Sequence, residues 1–174
     1  YVKKLDQTVD EHAADITLQA QQTITVNFEL ALPQVDYSGY AIEAYFCNDD
    51  EVLDYDMSAV DVSSDWSRFP RYGYITNIEE RTEEESRQIL DRLRKHHING
   101  LFYYDIIDRH DKPLAGTSDN PAKEWKTLAY HNASYDTLNT MIRIGHEYNM
   151  NSFVYNLIFG AYDNYEENGI KKEW

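Results

Sequence analysis

Alternating apolar and polar positions predict β-strands in the first third of the chain. Apolar side chains occupy every second position from Ile24 to Leu30, a period typical of a strand with one buried face. The stretches GYAIEAYF (39–46) and VLDYDMSAVDV (52–62) predict two further strands, separated by the polar turn NDDE. Because short strands joined by polar turns are typical of a β-sandwich, we assign residues 1–65 to part of one.

The apolar period becomes helical from Thr82 onward. A T-x-x-E capping box begins at Thr82, and the apolar positions that follow predict a helix that continues to about His97. A second helix is predicted from a cap at Ser134 or Asp136 to Asn149, because asparagine readily adopts the left-handed conformation at a helix end. The pattern therefore indicates a second domain with a different fold class.

Each predicted helix is followed by a near-continuous apolar run, INGLFYYD (98–105) and MNSFVYNL (150–157). Such runs are typical of buried parallel strands, and their alternation with helices predicts a parallel sheet. The aromatic stretch 66–80 is either a linker that leads into this sheet or its first strand and loop. Segment 106–133 is longer than an ordinary connection, and its large apolar residues indicate an ordered, functional loop.

Composition excludes several classes of partner. The chain of 174 residues carries 31 acidic and 16 basic residues, a formal charge of −15, which argues against nucleic acid and anionic membrane partners because both need clustered Lys and Arg. Cys47 is the single cysteine, so we expect neither an intrachain disulfide nor a cysteine-based zinc site. No apolar run approaches the ~20 residues of a transmembrane helix, and the first residues do not resemble a signal peptide.

The candidate chemistry lies after the strand 98–105. Asp105 ends this strand, and parallel sheets bind ligands at the carboxyl ends of their strands, although an aspartate there could equally cap a turn. In the loop that follows, Arg109, His110 and Asp111 could supply a general acid or base, or could hydrogen-bond a ligand, which we favour. The acidic pair Glu166–Glu167 is interpreted as solvated. The residues alone therefore predict a ligand site in an α/β domain.

Three longer motifs resemble a known enzyme family. The stretches DVSSDWSRFPRYGYIT (61–76), HHINGLFYYDIIDRHDKPLAG (96–116) with Trp125 after it, and MNSFVYNLIFGAYDNYEENG (150–169) are similar, in this order, to glycoside hydrolase family 66. This family contains endo-dextranases and cycloisomaltooligosaccharide glucanotransferases. The resemblance covers residues 61–174, whereas residues 1–60 match only in being rich in predicted strands.

The resemblance implies an immunoglobulin-like β-sandwich followed by a (β/α)8 barrel. Residues 1–65 would then be the C-terminal part of the sandwich, 66–80 the linker into the barrel, and 81–174 the first part of a barrel that normally needs about 250 residues. The family cleaves α-1,6-glucan with retention of configuration, through a nucleophilic carboxylate and an acid/base carboxylate. Because both lie on later barrel strands, we expect no catalytic residue within this chain, and we expect the chain by itself to be inactive.

The residues that the resemblance assigns to substrate binding lie near the ends of the two predicted parallel strands. Tyr104 and Asp105 match the Tyr-Asp pair that closes the family's first clear barrel strand, where the aspartate is important for activity. His110 matches the histidine before Pro-Leu in the loop motif. Tyr155 and Asn156 match the Tyr-Asn-Leu of the second strand. The family usually has Trp at Ile106 and Tyr at Phe159, and these two departures change the expected sugar-stacking arrangement.

Three functions follow from the resemblance. The first is an endo-acting dextran hydrolase, the second is a cycloisomaltooligosaccharide glucanotransferase, and the third is a non-catalytic carbohydrate-binding protein. The expected ligands are α-1,6-glucan and isomaltooligosaccharides, and no cofactor or metal is expected. The polymeric substrate of the family implies an extracellular or cell-envelope location.

Overall fold

The computed structural model describes residues 1–157, 160–161, 163–167 and 169–173. The chain divides into two units, Tyr1–Phe69 and Pro70–Trp174. The described residues contain more strands than helices. None of the described helices is long and apolar enough to cross a membrane.

The first unit contains one antiparallel sheet. Its strands are β1 (Val2–Lys4), β2 (Gln7–Asp10), β3 (Ser38–Asn48) and β4 (Glu51–Val62), in the order β2-β1-β3-β4. The long β3–β4 hairpin confirms the two strands predicted at 39–46 and 52–62, including the turn between them and the end at Val62. The β1–β2 hairpin was not predicted. Among the described residues this unit has a single sheet, so the second layer of a sandwich is not observed.

The prediction of a strand from Ile24 to Leu30 is wrong, because these residues form no strand in the structure. A period of two indicates an extended conformation, but a strand also requires a neighbouring strand to receive its backbone hydrogen bonds. Three of the four apolar residues of this run are exposed, 37% for Ile24, 40% for Val26 and 49% for Phe28, and Leu30 is half-buried. The alternation of apolar and polar residues is therefore present, but no strand in the described part of the chain pairs with these residues.

The second unit is built on a parallel sheet with helices between its strands. A 3-10 turn at Trp66–Arg68 lies at the end of the first unit. The elements of the second unit are β5 (Tyr72–Ile75), α1 (Glu83–Lys95), β6 (Gly100–Tyr103), β7 (Glu124–Lys126), β8 (Asn132–Ser134), α2 (Tyr135–Glu147) and β9 (Asn151–Val154). Strands β5, β6 and β9 pair in chain order and are all parallel. Residues 72–75 are thus the first strand of the sheet, which was one of the two alternatives for this stretch. The described residues form no closed barrel.

The helix ends follow the predicted local signals. Thr82 is the N-cap of α1, where its hydroxyl accepts from the Glu85 backbone N–H and the Glu85 carboxylate accepts from the Thr82 N–H. Ser134, rather than Asp136, caps α2 by accepting from Thr137 N–H. Asn149 has φ 57°, the left-handed conformation expected after the second helix. Both predicted helices are therefore confirmed.

The core of the second unit lies between the helices and one face of the sheet. Leu90 of α1 and Met141 and Ile144 of α2 are fully buried against Leu101 and Tyr103 of β6. Burial raises the pKa of the Tyr103 hydroxyl to about 12, and the nearby Ser152 side chain offsets part of this shift.

The predicted loop 106–133 is ordered and contains secondary structure of its own. Strand β7 pairs with β8 in a short antiparallel hairpin, and Ala133 of β8 forms a bridge with Ile78, which follows β5. Gly116 has φ +87°, and a Cβ at this position would overlap the backbone at Ala122, so the turn before the hairpin requires glycine.

Candidate functional site

Two tyrosines mark the carboxyl edge of the parallel sheet. The Tyr104 N–H donates to the Ile75 carbonyl at 2.9 Å, and the Tyr155 N–H donates to the Tyr103 carbonyl at 3.0 Å. The parallel register continues past the assigned strands, and the rings of Tyr104 and Tyr155 stack with centroids 4.2 Å apart and an interplanar angle of 27°. The ring of Tyr74 meets Tyr104 edge-on at 6.0 Å. Two of the five predicted site residues are therefore in direct contact.

These tyrosines belong to a continuous aromatic surface on the sheet face opposite the helices. We call it the aromatic face, and it consists of Tyr72, Tyr74, Phe102, Tyr104, Phe153 and Tyr155. At its centre Phe102 and Phe153 stack at 5.0 Å with an interplanar angle of 17°. Alternate residues of a strand point to opposite faces, so Ile75, Leu101 and Tyr103, on the helix-facing side of the same strands, belong to the core.

Asp105 and Asn156 directly follow the stacked tyrosines. Asp105 has φ 55°, a left-handed conformation that aspartate tolerates better than most residues, and its side chain is half-buried. Asn156 is exposed. Because Tyr104 and Tyr155 are neighbours, the residues that follow them, Asp105 and Asn156, lie at the same edge of the sheet.

The loop after Asp105 is held by its own charge pair. The Arg109 guanidinium donates to both carboxylate oxygens of Asp111, at 2.9 and 3.1 Å, and this hydrogen bonding lowers the pKa of Asp111. Arg109 and Lys112 exchange backbone hydrogen bonds around the turn. Both ring nitrogens of His110 are shielded from solvent. Arg109 and Asp111 therefore pair with each other in the loop, and His110 is packed inside it.

The β7–β8 hairpin supports this edge and was missed at the sequence level. The Trp125 indole N–H donates to the Ile106 carbonyl at 2.8 Å, and the Leu128 N–H donates to the Ile107 carbonyl at 2.9 Å. Ile106 is 1% exposed and lies in the core of the second unit. Trp125 follows the motif at 96–116 in the sequence, but no local signal predicts its long-range contact. The other departure, Phe159, lies outside the described residues.

Two cavities lie among the described residues of the second unit. One of about 580 Å³ is lined by Glu79, Glu80, Glu124, Trp125, Asn132, Ala133 and Ser134. Another of about 260 Å³ lies over the loop 112–121 and Tyr135. None of the five predicted site residues lines either cavity. In the described part of the chain, no three His, Cys, Asp or Glu side chains cluster as a metal site would require.

The edge thus combines ring faces with hydrogen-bonding groups. Aromatic rings bury apolar faces of a ligand, while carboxylate and amide groups accept and donate hydrogen bonds in fixed directions. This combination suits a polyhydroxylated ligand whose faces are apolar and whose rim is polar.

Comparison with known proteins identifies the family. The sequence model of glycosyl hydrolase family 66 matches residues 1–174, and the chain belongs to this family. A cycloisomaltooligosaccharide glucanotransferase of Niallia circulans is 32% identical over 172 residues, which cover 98% of this chain and 17% of that protein. A dextranase of Streptococcus salivarius is 24% identical over 114 residues, 62% of this chain and 14% of the relative.

A solved structure supports the same assignment. A Paenibacillus sp. cycloisomaltooligosaccharide glucanotransferase, complexed with cycloisomaltoheptaose, is 31% identical with a TM-score of 0.63 over 82% of this chain and 20% of that one. The family match includes residues 1–60, so the narrower resemblance over 61–174 understated the similarity. The chain spans about a sixth of the length of the glucanotransferase relative, 17%.

Proposed function

We propose that this chain is the N-terminal part of an enzyme that cleaves α-1,6-glucan with retention of configuration, in the manner of an endo-dextranase. The observation that carries the proposal is the stacked pair Tyr104–Tyr155, followed directly by Asp105 and Asn156, at the carboxyl edge of a parallel sheet in a family 66 chain. In this role the edge forms part of the wall of the glucan-binding cleft.

Each site residue has a defined task in this proposal. The rings of Tyr104 and Tyr155 provide the aromatic surface beside the sugar, and Asn156 offers a donor and an acceptor. Asp105 and His110 hydrogen-bond glucosyl hydroxyls on the non-reducing side of the cleft. The ring nitrogens of His110 are shielded from solvent in this structure, so their contact requires the loop to adjust around the sugar. The nucleophile and the acid/base carboxylate belong to residues beyond 174, and residues 1–174 by themselves have no hydrolase activity.

The same proposal extends to the fold. Residues 1–65 form the C-terminal part of an immunoglobulin-like sandwich, 66–80 lead into the barrel, and 81–174 belong to the first part of a (β/α)8 barrel. The order β5-β6-β9, with a helix in each crossover, supports a barrel because its strands also follow chain order. In this proposal the strand Tyr72–Ile75 is the first strand of the barrel, so the barrel begins within residues 66–80.

A second candidate is cycloisomaltooligosaccharide formation, and one observation favours it. The glucanotransferase relatives match 98% of the chain at 32% and 28% identity, whereas the dextranase matches 62% at 24%. The two reactions share the glycosyl-enzyme intermediate and differ in whether water or the chain's own sugar end resolves it.

The test uses the longer protein that contains this chain, incubated with dextran. New reducing ends with linear isomaltooligosaccharides would support hydrolysis, whereas products without reducing ends would support cyclisation. Binding of isomaltooligosaccharides without any cleavage would leave the third alternative, a carbohydrate-binding protein. Cleavage restricted to glucans without α-1,6 bonds would contradict the proposed substrate. Because dextran is a polymer outside the cell, we also propose an extracellular or cell-envelope location, which fractionation of the source cells would test.

A further inference from the structure

The β7–β8 hairpin connects the ends of two parallel strands. On one side the Ser134 N–H donates to the Ile78 carbonyl at 2.8 Å, close after β5. On the other side Trp125 and Leu128 hold the carbonyls of Ile106 and Ile107, close after β6. The hairpin therefore acts as a brace across the carboxyl edge where the proposed site lies.

The brace holds the backbone where it has an uncommon conformation. Asp105 has φ 55°, and left-handed residues other than glycine persist when their surroundings over-determine them. The next two residues are fixed in two ways, because Ile106 and Ile107 are each 1% exposed and both carbonyls accept a hydrogen bond from the hairpin. One of these two bonds comes from a side chain, the indole of Trp125, which is itself 8% exposed.

We propose that Trp125 is a positioning residue for substrate binding, which acts by holding the backbone that sets the direction of the Asp105 carboxylate. Trp125 does not touch the sugar in this proposal. The inference rests on the proposed function, because it takes Asp105 as a group that binds glucan hydroxyls. It adds a residue that supports substrate binding from a position 20 residues along the chain from Asp105.

The test is a substitution that removes the indole N–H from the longer enzyme. In W125F a smaller aromatic ring remains and the Ile106 carbonyl loses its donor, so the Asp105 carboxylate is held less firmly and KM for isomaltooligosaccharides rises about fivefold. A merely structural role would reduce the fraction of folded enzyme, which lowers the apparent kcat and leaves KM unchanged. If W125F does not fold, benzothienylalanine at position 125 keeps the bicyclic ring without the N–H. W66F, outside the hairpin, is the control for loss of an indole and keeps the native KM.

A double-mutant cycle with D105N separates the two proposals. If Trp125 acts through Asp105, W125F raises KM in the native background and adds little in the D105N background. An equal effect in both backgrounds, or a change in kcat alone, would overturn the role of Trp125 while leaving that of Asp105 intact. If D105N itself leaves KM unchanged, the assignment of Asp105 in the proposed function fails, whatever W125F does.

Discussion

Tyr103 and Tyr104 are adjacent in the chain but lie on opposite faces of the parallel sheet. Tyr103 is fully buried against the helices, where burial raises its pKa to about 12. Tyr104 belongs to the aromatic face and stacks on Tyr155. Because a shift of one residue exchanges the two faces of a strand, the alternation alone decides which tyrosine serves the core and which serves the site. Asp105 follows Tyr104, whose N–H donates to the Ile75 carbonyl of the neighbouring strand. At Asp105 the backbone leaves the strand conformation.

We predict that D105N and D105A separate the charge of Asp105 from its backbone conformation. Asparagine tolerates φ 55° about as well as aspartate, so D105N weakens isomaltooligosaccharide binding without lowering Tm. Alanine tolerates this conformation less well, so D105A also lowers the free energy of unfolding by about 1 kcal/mol. Calorimetric titration and thermal unfolding of both variants check this. Normal sugar binding by D105N would rule out the assignment of Asp105.

Gly100 provides the second prediction at this scale. A Cβ at Gly100 would lie 2.6 Å from the Tyr72 ring, which crosses this position from the neighbouring strand. We expect G100A to displace the ring and lower the free energy of unfolding of the second unit by about 1–3 kcal/mol. G39A is the matched control, because a Cβ there meets its nearest neighbour at 3.4 Å, an ordinary contact. Equal denaturation midpoints for G100A and the native protein would contradict the packing described.

The elements predicted from sequence are those whose signals are local. Thr82 and Ser134 are caps that act within three residues of themselves, so the sequence located the first helix start and narrowed the second to Ser134 or Asp136. The run from Ile24 to Leu30 failed because pairing depends on a partner that periodicity does not report. The hairpin of Glu124–Lys126 and Asn132–Ser134 could not be predicted, because strands of three residues are too short to show a period. The Trp125–Ile106 hydrogen bond joins residues far apart in the chain, which no local pattern encodes.

The two helices provide a prediction about pH. The Glu83 carboxylate of α1 lies 2.7 Å from the Arg143 guanidinium of α2 and 3.1 Å from that of Arg87. These hydrogen bonds, the one from Arg143 having the larger effect, lower the pKa of Glu83 below its ordinary 4.5. A carboxylate whose pKa is lowered by folding stabilises the protein above its unfolded pKa, and this contribution is lost as pH falls through the folded value. We therefore expect E83Q to lower Tm at about pH 7 and to have a smaller effect at about pH 3.

The control for this prediction is E84Q. Glu84 lies in the same first turn of α1 and accepts a hydrogen bond from the neutral Gln88. It shares the helix-dipole contribution of Glu83 without the contact to α2. Thermal unfolding of both variants across this pH range should show the larger pH-dependent difference for E83Q. An equal profile for the two variants would mean that the ion pairs of Glu83 with Arg143 and Arg87 add nothing to stability.

At the scale of the whole molecule, the aromatic face requires an explanation. Tyr74 is 64% exposed and Tyr72 is 44% exposed, although both stand on a sheet whose other face is packed against helices. In a closed (β/α)8 barrel this face points to the interior, where side chains of other strands cover it. The proposed barrel therefore accounts both for the aromatic composition of the face and for its exposure in a chain that spans 17% of its glucanotransferase relative.

The last prediction follows from this exposure. If residues 1–174 are produced by themselves, we expect them to self-associate through the aromatic face, because contiguous exposed apolar patches and unpaired strand edges both promote association. Y74K places a charge in the middle of the face and should reduce the association measured by light scattering over a concentration series. Y130K is the matched control, since Tyr130 is 65% exposed but lies in the loop between β7 and β8. Equal effects of the two substitutions would show that association does not use the aromatic face. In the longer protein the proposed barrel buries Tyr74, so there Y74K should instead lower Tm, whereas Y130K should not.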